Sequence, residues 1–219
     1  MKFQSTQTYV APEDLTVAVN AAVVLERPLL VKGEPGTQKH LFASLVHQFS
    51  NRASGPLLIF NCATVPADLF ETVLLGEEGD GGDGKLRQAD GGTLVLIKAQ
   101  QLPAPLLARL LKAVDEGHYF RARGRTPVKV NVRLILTTER DFEEEVRLGH
   151  LPVEIWRRLR TALITLPPLR ERPGDVLRLA KDELERLNRT LPRRAKKNPR
   201  LLAGVLGEKP LAMTYSCMA

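Results

Sequence analysis

The sequence predicts an α/β fold, a three-layer αβα sandwich built on a largely parallel sheet. Three observations point to it. Short apolar runs alternate along the chain with segments of helical periodicity, as a parallel sheet with crossover helices on both faces requires. One run, over residues 28–32, passes through a glycine-bearing turn directly into a helical pattern. Finally, 219 residues of which 43% are hydrophobic suffice for one ordinary domain with a small appendage.

The elements follow in order. Pro12 and Glu13 open a helix through Leu25, and Pro28-Leu-Leu-Val-Lys32 reads as a buried strand that ends at the glycine turn. A helix over 39–49 comes next, then a second strand over 57–60 and a third over 91–97, the latter preceded by glycines that stop any helix. Residues 103–116 are helical, with Leu106, Leu107, Leu110, Leu111 and Val114 on one face. A hairpin pairs 118–120 with 128–130, followed by a strand over 133–138, helices over 141–148 and 153–160, and a last strand over 163–166. Residues 1–172 thus form the α/β core. A helix from Pro173 to about Leu187 begins a partial helical lid over 173–190, and residues 191–219, broken by Pro192, Pro199, Gly204, Gly207 and Pro210, form a basic, irregular tail.

The net charge of +7 points toward an acidic partner. Its placement matters more than its size. Arg186, Arg189, Arg193, Arg194, Lys196, Lys197 and Arg200 occur without one acidic residue among them, which leaves the rest of the chain formally neutral. A solvated tail, or one that contacts nucleic acid, both fit this pattern. Cys62 and Cys217 have no Cys or His at ligand spacing, so neither a disulfide framework nor a zinc site is indicated. No secretory signal and no bilayer-length apolar run is evident. These features predict a protein of the cytoplasm, with no membrane partner.

The most informative segment is Gly33, Glu34, Pro35, Gly36, Thr37, Gln38, Lys39 and His40, where a strand turns into a helix. In a P-loop, backbone N–H groups and a helix amino terminus surround phosphates, a Lys reaches the β and γ phosphates, and a hydroxyl helps hold magnesium. Gly33, Gly36 and Lys39 occupy the fixed places of that pattern. Gln38 replaces the glycine before the lysine, and His40 replaces the Ser or Thr. A side chain at Gln38 hinders backbone conformations that glycine permits, so weakened nucleotide binding is expected unless the backbone adapts.

Beyond this loop the order of motifs resembles the AAA+ domain of sigma-54-dependent transcription activators, over residues 29–187. The matching pieces are His47 with Ser50 and Arg52, Asn61-Cys62-Ala63, Leu75-Gly76, Ala89-Asp90-Gly91-Gly92-Thr93-Leu94, Leu110-Leu111, and Pro167-Pro168-Leu169-Arg170-Glu171-Arg172. A second resemblance covers the start. Phe3 to Thr37, with Tyr9-Val10-Ala11, Ala18-Val19-Asn20-Ala21-Ala22 and the run from Leu25 to Lys32, is similar to the opening of MoxR-type AAA+ ATPases. A mosaic joined near the phosphate loop and a divergent relative of either family are both open at this point. Either resemblance implies the AAA+ P-loop NTPase-like sandwich, here with a truncated helical lid.

The first resemblance also implies where the machinery should stand. The third strand of such ATPases ends in an Asp that holds magnesium and a Glu that activates water. Here those positions are Ile97 and Lys98. Ile97 offers no oxygen and a cationic Lys98 is neither base nor metal ligand, so ATP hydrolysis is not expected and magnesium binding is in doubt. Lys98 either pairs with phosphate or is solvated at a strand end. Glu139 stands where an Asn senses the γ phosphate. The arginines that act across a subunit boundary correspond to Pro152 and Arg158; Arg158 is a candidate trans-acting arginine or a surface charge. The sigma-contacting Gly-Ala-Phe-Thr-Gly-Ala loop is replaced by the segment from Gly76 to Lys85, rich in glycine and acid, which reads as a flexible connector. No helix-turn-helix follows the lid.

Three functional classes fit this sequence. The preferred one is a pseudo-ATPase in transcription regulation that binds ATP or ADP weakly and joins an AAA+ ring of itself or a paralogue. Sigma-54 RNA polymerase is its partner by resemblance. An active remodelling ATPase would need a substitute carboxylate such as Asp90 or Asp115. A truncated remnant without a role is the third.

Overall fold

The apolar runs have apolar residues on both of their faces, so each must be covered twice, and the computed structural model shows how. It describes Asn20 and residues 27–78 and 82–171. All of these lie in the first of the two units into which the chain divides, residues 1–172 and 173–219. The helix predicted over 12–25, Asn20 apart, and the lid and tail predicted beyond Pro173 fall outside the described residues.

Five strands form one wholly parallel sheet: β1 (Leu29–Lys32), β2 (Leu57–Asn61), β3 (Thr93–Ile97), β6 (Arg133–Thr138) and β7 (Leu163–Thr165), in the order β2-β3-β6-β1-β7. The hairpin of β4 (His118–Phe120) and β5 (Pro127–Lys129) stands apart as an antiparallel pair. Side-chain alternation divides the sheet into two cores. Leu30, Leu94, Leu96, Leu134 and Leu136 pack with α2 (Phe70–Leu75), α4 (Ala104–Glu116) and α6 (Val153–Leu159). Leu29, Val31, Val95, Ile135 and Ile164 pack with Phe42, Ala43 and Val46 of α1 (Lys39–Gln48). Register follows from this division, because a one-residue slip would send each strand's side chains into the wrong layer.

Local chemistry sets the helix ends. Pro103 precedes α4, where its missing N–H costs nothing, and Gly117 ends it at φ +69°. Leu106, Leu107, Leu110 and Leu111 are buried as predicted, with Val114 half-buried. Asp141 caps α5 (Phe142–Arg147) by accepting from the Glu143 N–H at 2.9 Å, and three glutamates occupy the first turn, where the helix dipole favours them.

The structure departs from the sequence prediction in three places. α2 and α3 (Lys85–Gln88) were not predicted: α3 is a single turn of four residues, and α2 runs directly into the glycine-rich segment that reads as a connector. The second hairpin strand starts at Pro127, one residue early, as a proline at a strand start loses no ladder bond. The segment from Gly76 to Lys85 is not a free connector in its described parts. Gly76 bridges Asp83, and a Cβ on Gly84 would overlap the Gly76 backbone. Ala122 donates its N–H to the Gly76 carbonyl at 2.9 Å, Arg121 pairs with Asp83 at 2.6 Å, and Glu78 accepts from Thr126 Oγ1 at 2.9 Å. Both ends are therefore tied to the β4–β5 hairpin. No helix among the described residues is long and apolar enough to cross a membrane.

His47, Ser50 and Arg52 act as fasteners. His47 Nδ1 lies 2.9 Å from the buried Thr93 Oγ1, joining α1 to β3, and Arg52 donates to Asn131 at 2.9 and 2.6 Å. Burial, and next Arg133, hold His47 below its ordinary value of 6.5. The unfolded chain therefore binds the proton more readily, and the stability from neutral His47 is present above pH 6.5 and lost as pH falls through its lower folded value. The melting temperature of the wild type should fall below pH 6.5 more steeply than that of His47→Gln; parallel curves would contradict this role. In the core, Leu96→Ala should cost about 2–5 kcal/mol in urea denaturation.

Candidate functional site

Because all five strands run the same way, their carboxyl ends meet at one edge, where open α/β sheets bind ligands. The register aligns Lys32 with Thr138 and Leu96 with Leu136. From that edge Gly33 leaves β1, donating its N–H to the Thr138 carbonyl at 3.1 Å. A Cβ on Gly33 would lie 2.7 Å from Thr37 Oγ1, so glycine is required there. Thr37, buried beneath the loop, donates its hydroxyl to the Glu34 carbonyl at 2.8 Å, and Gly36 turns the chain at φ +84°.

Gln38 then takes the left-handed conformation, φ 60° and ψ 38°. This answers the sequence expectation: the backbone keeps the turn that suits glycine, at a cost of roughly 1–2 kcal/mol for a residue with a Cβ. Lys39 opens α1, and its ammonium donates 2.8 Å hydrogen bonds to the carbonyls of both Gly33 and Glu34. The loop thus closes around its own lysine, which is 8% exposed. No side chain caps α1, and an uncapped helix start is suited to an anion. Burial depresses the proton affinity of Lys39, Glu139 raises it, and Lys98 lowers it.

Lys98 and Glu139 therefore share the edge with the loop. Lys98 is itself left-handed, at φ 57°, with its N–H directed to Thr137 Oγ1 at 3.3 Å. Ile97 packs against the core beside α1. With Ile97, Lys98 and His40 in the places where magnesium ligands are expected, and Thr37 turned to the Glu34 carbonyl, the donor set does not fit a magnesium ion. Among the described residues no cluster of three His, Cys, Asp or Glu could hold a metal. The buried and half-buried lysines beside an uncapped helix start instead suit phosphate oxygens.

Two ion pairs around the loop were not foreseen. Arg170 holds both oxygens of Glu34 at 2.8 and 2.6 Å, fastening the loop to the segment after β7. The signal was present in Pro167-Pro168-Leu169-Arg170, but a fork reaching back 136 residues leaves no spacing to read. Lys32 meets Asp141 at 2.5 Å, and that hydrogen bond above all holds the Asp141 carboxyl below the ordinary carboxylate range.

The remaining candidates lie elsewhere. Asp90 precedes β3 and accepts from Arg87 at 2.8 Å and from the Asn131 N–H at 2.7 Å. β3 has five residues, so roughly 15 Å of strand separates Asp90 from the loop edge. α4 returns antiparallel to the strands and carries Asp115 to that same far edge, where a shallow groove includes both carboxylates. Neither reaches the loop edge, which corrects the expectation that one of them could serve there as a substitute carboxylate. Arg158 pairs with Asp115 at 3.1 Å, with both side chains about half exposed, and is occupied within the chain. Asn61 caps the turn at Cys62–Thr64, and burial pushes the Cys62 thiol up to about 12.

Two measurements check this geometry. Gln38→Gly should raise unfolding stability by about 1 kcal/mol through relief of the left-handed residue, and a loss would mean that the turn is unstrained. In peptide mapping after iodoacetamide treatment at pH 8, Cys62 should be labelled in denaturant and protected without it.

The comparisons accord with this architecture. The family model described as the Sigma-54 interaction domain matches residues 7–165, including most of the amino-terminal segment. Over 159 residues the chain is 43% identical to the Nif-specific regulatory protein of Klebsiella pneumoniae, covering 69% of this chain and 30% of that protein. It is 38% identical over 175 residues to the DNA-binding transcriptional regulator NtrC of Escherichia coli K12, covering 77% of this chain and 37% of that one. The chain therefore spans well under half of either regulator. Among solved structures, NtrX from Brucella abortus in complex with ATP superposes with a TM-score of 0.72 at 26% identity, covering 80% of this chain and 39% of NtrX. Fold and family match agree: the chain belongs to the sigma-54 interaction domain family and has the AAA+ P-loop NTPase-like fold.

Proposed function

We propose that the chain is a nucleotide-binding module of transcription regulation that holds ATP or ADP weakly and does not hydrolyse ATP. The observation that carries this reading is the contrast at one sheet edge. The phosphate loop keeps its turn and closes on Lys39, while Ile97 and Lys98 occupy the positions of the acidic pair. A carboxylate is needed to orient and deprotonate the attacking water, and oxygen ligands to hold magnesium; Ile97 and Lys98 supply neither at the end of β3.

On binding, Lys39 would exchange its two carbonyl acceptors for phosphate oxygens, and the N–H groups at the start of α1 would add further donors. Glu139, facing Lys39, opposes the γ phosphate and favours weak binding. The role left to such a module is to occupy a place in an AAA+ ring, of its own kind or a paralogue's, and to modulate it. Family membership supports sigma-54 RNA polymerase as the ultimate target. With no aromatic residue between Gly76 and Lys85, the module is not itself expected to grip the sigma factor. Arg158, engaged with Asp115, is likewise not expected to act on a neighbour's nucleotide.

Titration with a fluorescent ATP analogue tests the reading. The wild type should give a saturable isotherm, and Lys39→Ala should weaken it at least about tenfold, a loss of about 1.4 kcal/mol. Equal binding by the two proteins would refute it.

A further inference from the structure

Lys98 stands where the sequence pattern calls for acid, yet the fold treats its position as a defined one. Its N–H reaches Thr137 Oγ1 at 3.3 Å, it begins the turn Ala99–Gln101, and its left-handed backbone is the conformation also adopted by Gln38 across the edge. Thr137 and Thr138 are the link: Thr137 receives Lys98, and the carbonyl of Thr138 receives the N–H of Gly33. These two bonds bring the end of β3 and the start of the phosphate loop to adjacent places on β6. The ammonium of Lys98 pairs with no carboxylate among the described residues, although it is half-buried. It lies near enough to the ammonium of Lys39 to be felt there, with Glu139 as the opposing charge.

Two ammonium groups gathered at one edge with a single opposing carboxylate, Glu139, carry a net positive charge that an anion would offset. We propose that Lys98 takes the electrostatic place of the divalent cation, so that this site binds the free polyphosphate of a nucleotide and discriminates against its magnesium complex. This rests on the nucleotide-binding reading above and adds the chemical form of the ligand. Magnesium bridging the β and γ oxygens would occupy the acceptors that Lys39 and Lys98 require, and would bring a double positive charge against an ammonium. In its absence, Lys39 from the start of α1 and Lys98 from the end of β3 grip the polyphosphate together. Glu139 balances the lysines while the site is empty and limits the affinity once phosphate arrives.

The experiment is titration of the whole chain with a fluorescent ATP analogue, in excess EDTA and again in excess magnesium, with adenosine as a phosphate-free control. The wild type should bind the analogue more tightly in EDTA. Lys98→Gln, with its folding verified by thermal melting, should weaken binding about tenfold in EDTA and much less in magnesium, while Lys98→Arg should retain the wild-type preference. The double variant Ile97→Asp, Lys98→Glu should reverse the order and bind better with magnesium. Binding by the wild type that requires magnesium, or that is indifferent to Lys98→Gln in EDTA, would overturn the metal-free proposal and leave nucleotide binding intact. No binding in either buffer, or binding unaffected by Lys39→Ala, would overturn the nucleotide reading and this proposal with it.

Discussion

Parallel pairing between β1 and β6, with Lys32 opposite Thr138, determines where every charged group of the site stands. It brings the start of the phosphate loop against the end of β6, so the Gly33 N–H finds the Thr138 carbonyl. The same strand, through Thr137, receives the residue after β3. The pairing is in turn fixed by the two cores, because Leu134 and Leu136 must face one helical layer and Ile135 the other. The geometry of a phosphate site is thus a by-product of packing. It can persist after the catalytic groups are gone.

That separation is what allows the proposed reading to join an intact architecture to altered chemistry. The loop turn depends on Gly33, Gly36 and the buried Thr37, and it tolerates Gln38 at a modest conformational cost. In the proposed reading hydrolysis would need oxygen ligands at the end of β3, where Ile97 packs against the core and Lys98 begins the next turn. Lys98, only partly buried at this edge, adds a charge without entering either core.

Strands were readable because each is a short apolar run bounded by glycine, proline or charge; residues 133–138 were delimited as found. The ten- and thirteen-residue helices α1 and α4 were readable by their period, whereas α3, a single turn of four residues, could show none. The loop could be found from Gly33, Gly36 and Lys39, and the strand end facing it from Ile97 and Lys98, because those positions are defined by neighbours in sequence. What lay hidden was long-range: the Arg170 fork on Glu34, the Lys32 pair with Asp141, and the ties of Glu78 and Asp83 to the hairpin. The candidate role of Asp90 and Asp115 failed for the same reason. Nothing local in the sequence says that they lie at the opposite edge of the sheet.

The central claim is that this fold retains a phosphate site without the means to cleave what it holds. A single-turnover experiment tests it most directly: ATP labelled at the γ phosphate is incubated with excess protein and magnesium, and free labelled phosphate is followed over hours. Label that stays in ATP, at the rate seen in buffer alone, is the predicted result. Release above that rate that vanishes in Lys39→Ala would contradict the account, for it would require a carboxylate elsewhere on the edge, such as Glu139, to do the work that Ile97 and Lys98 cannot.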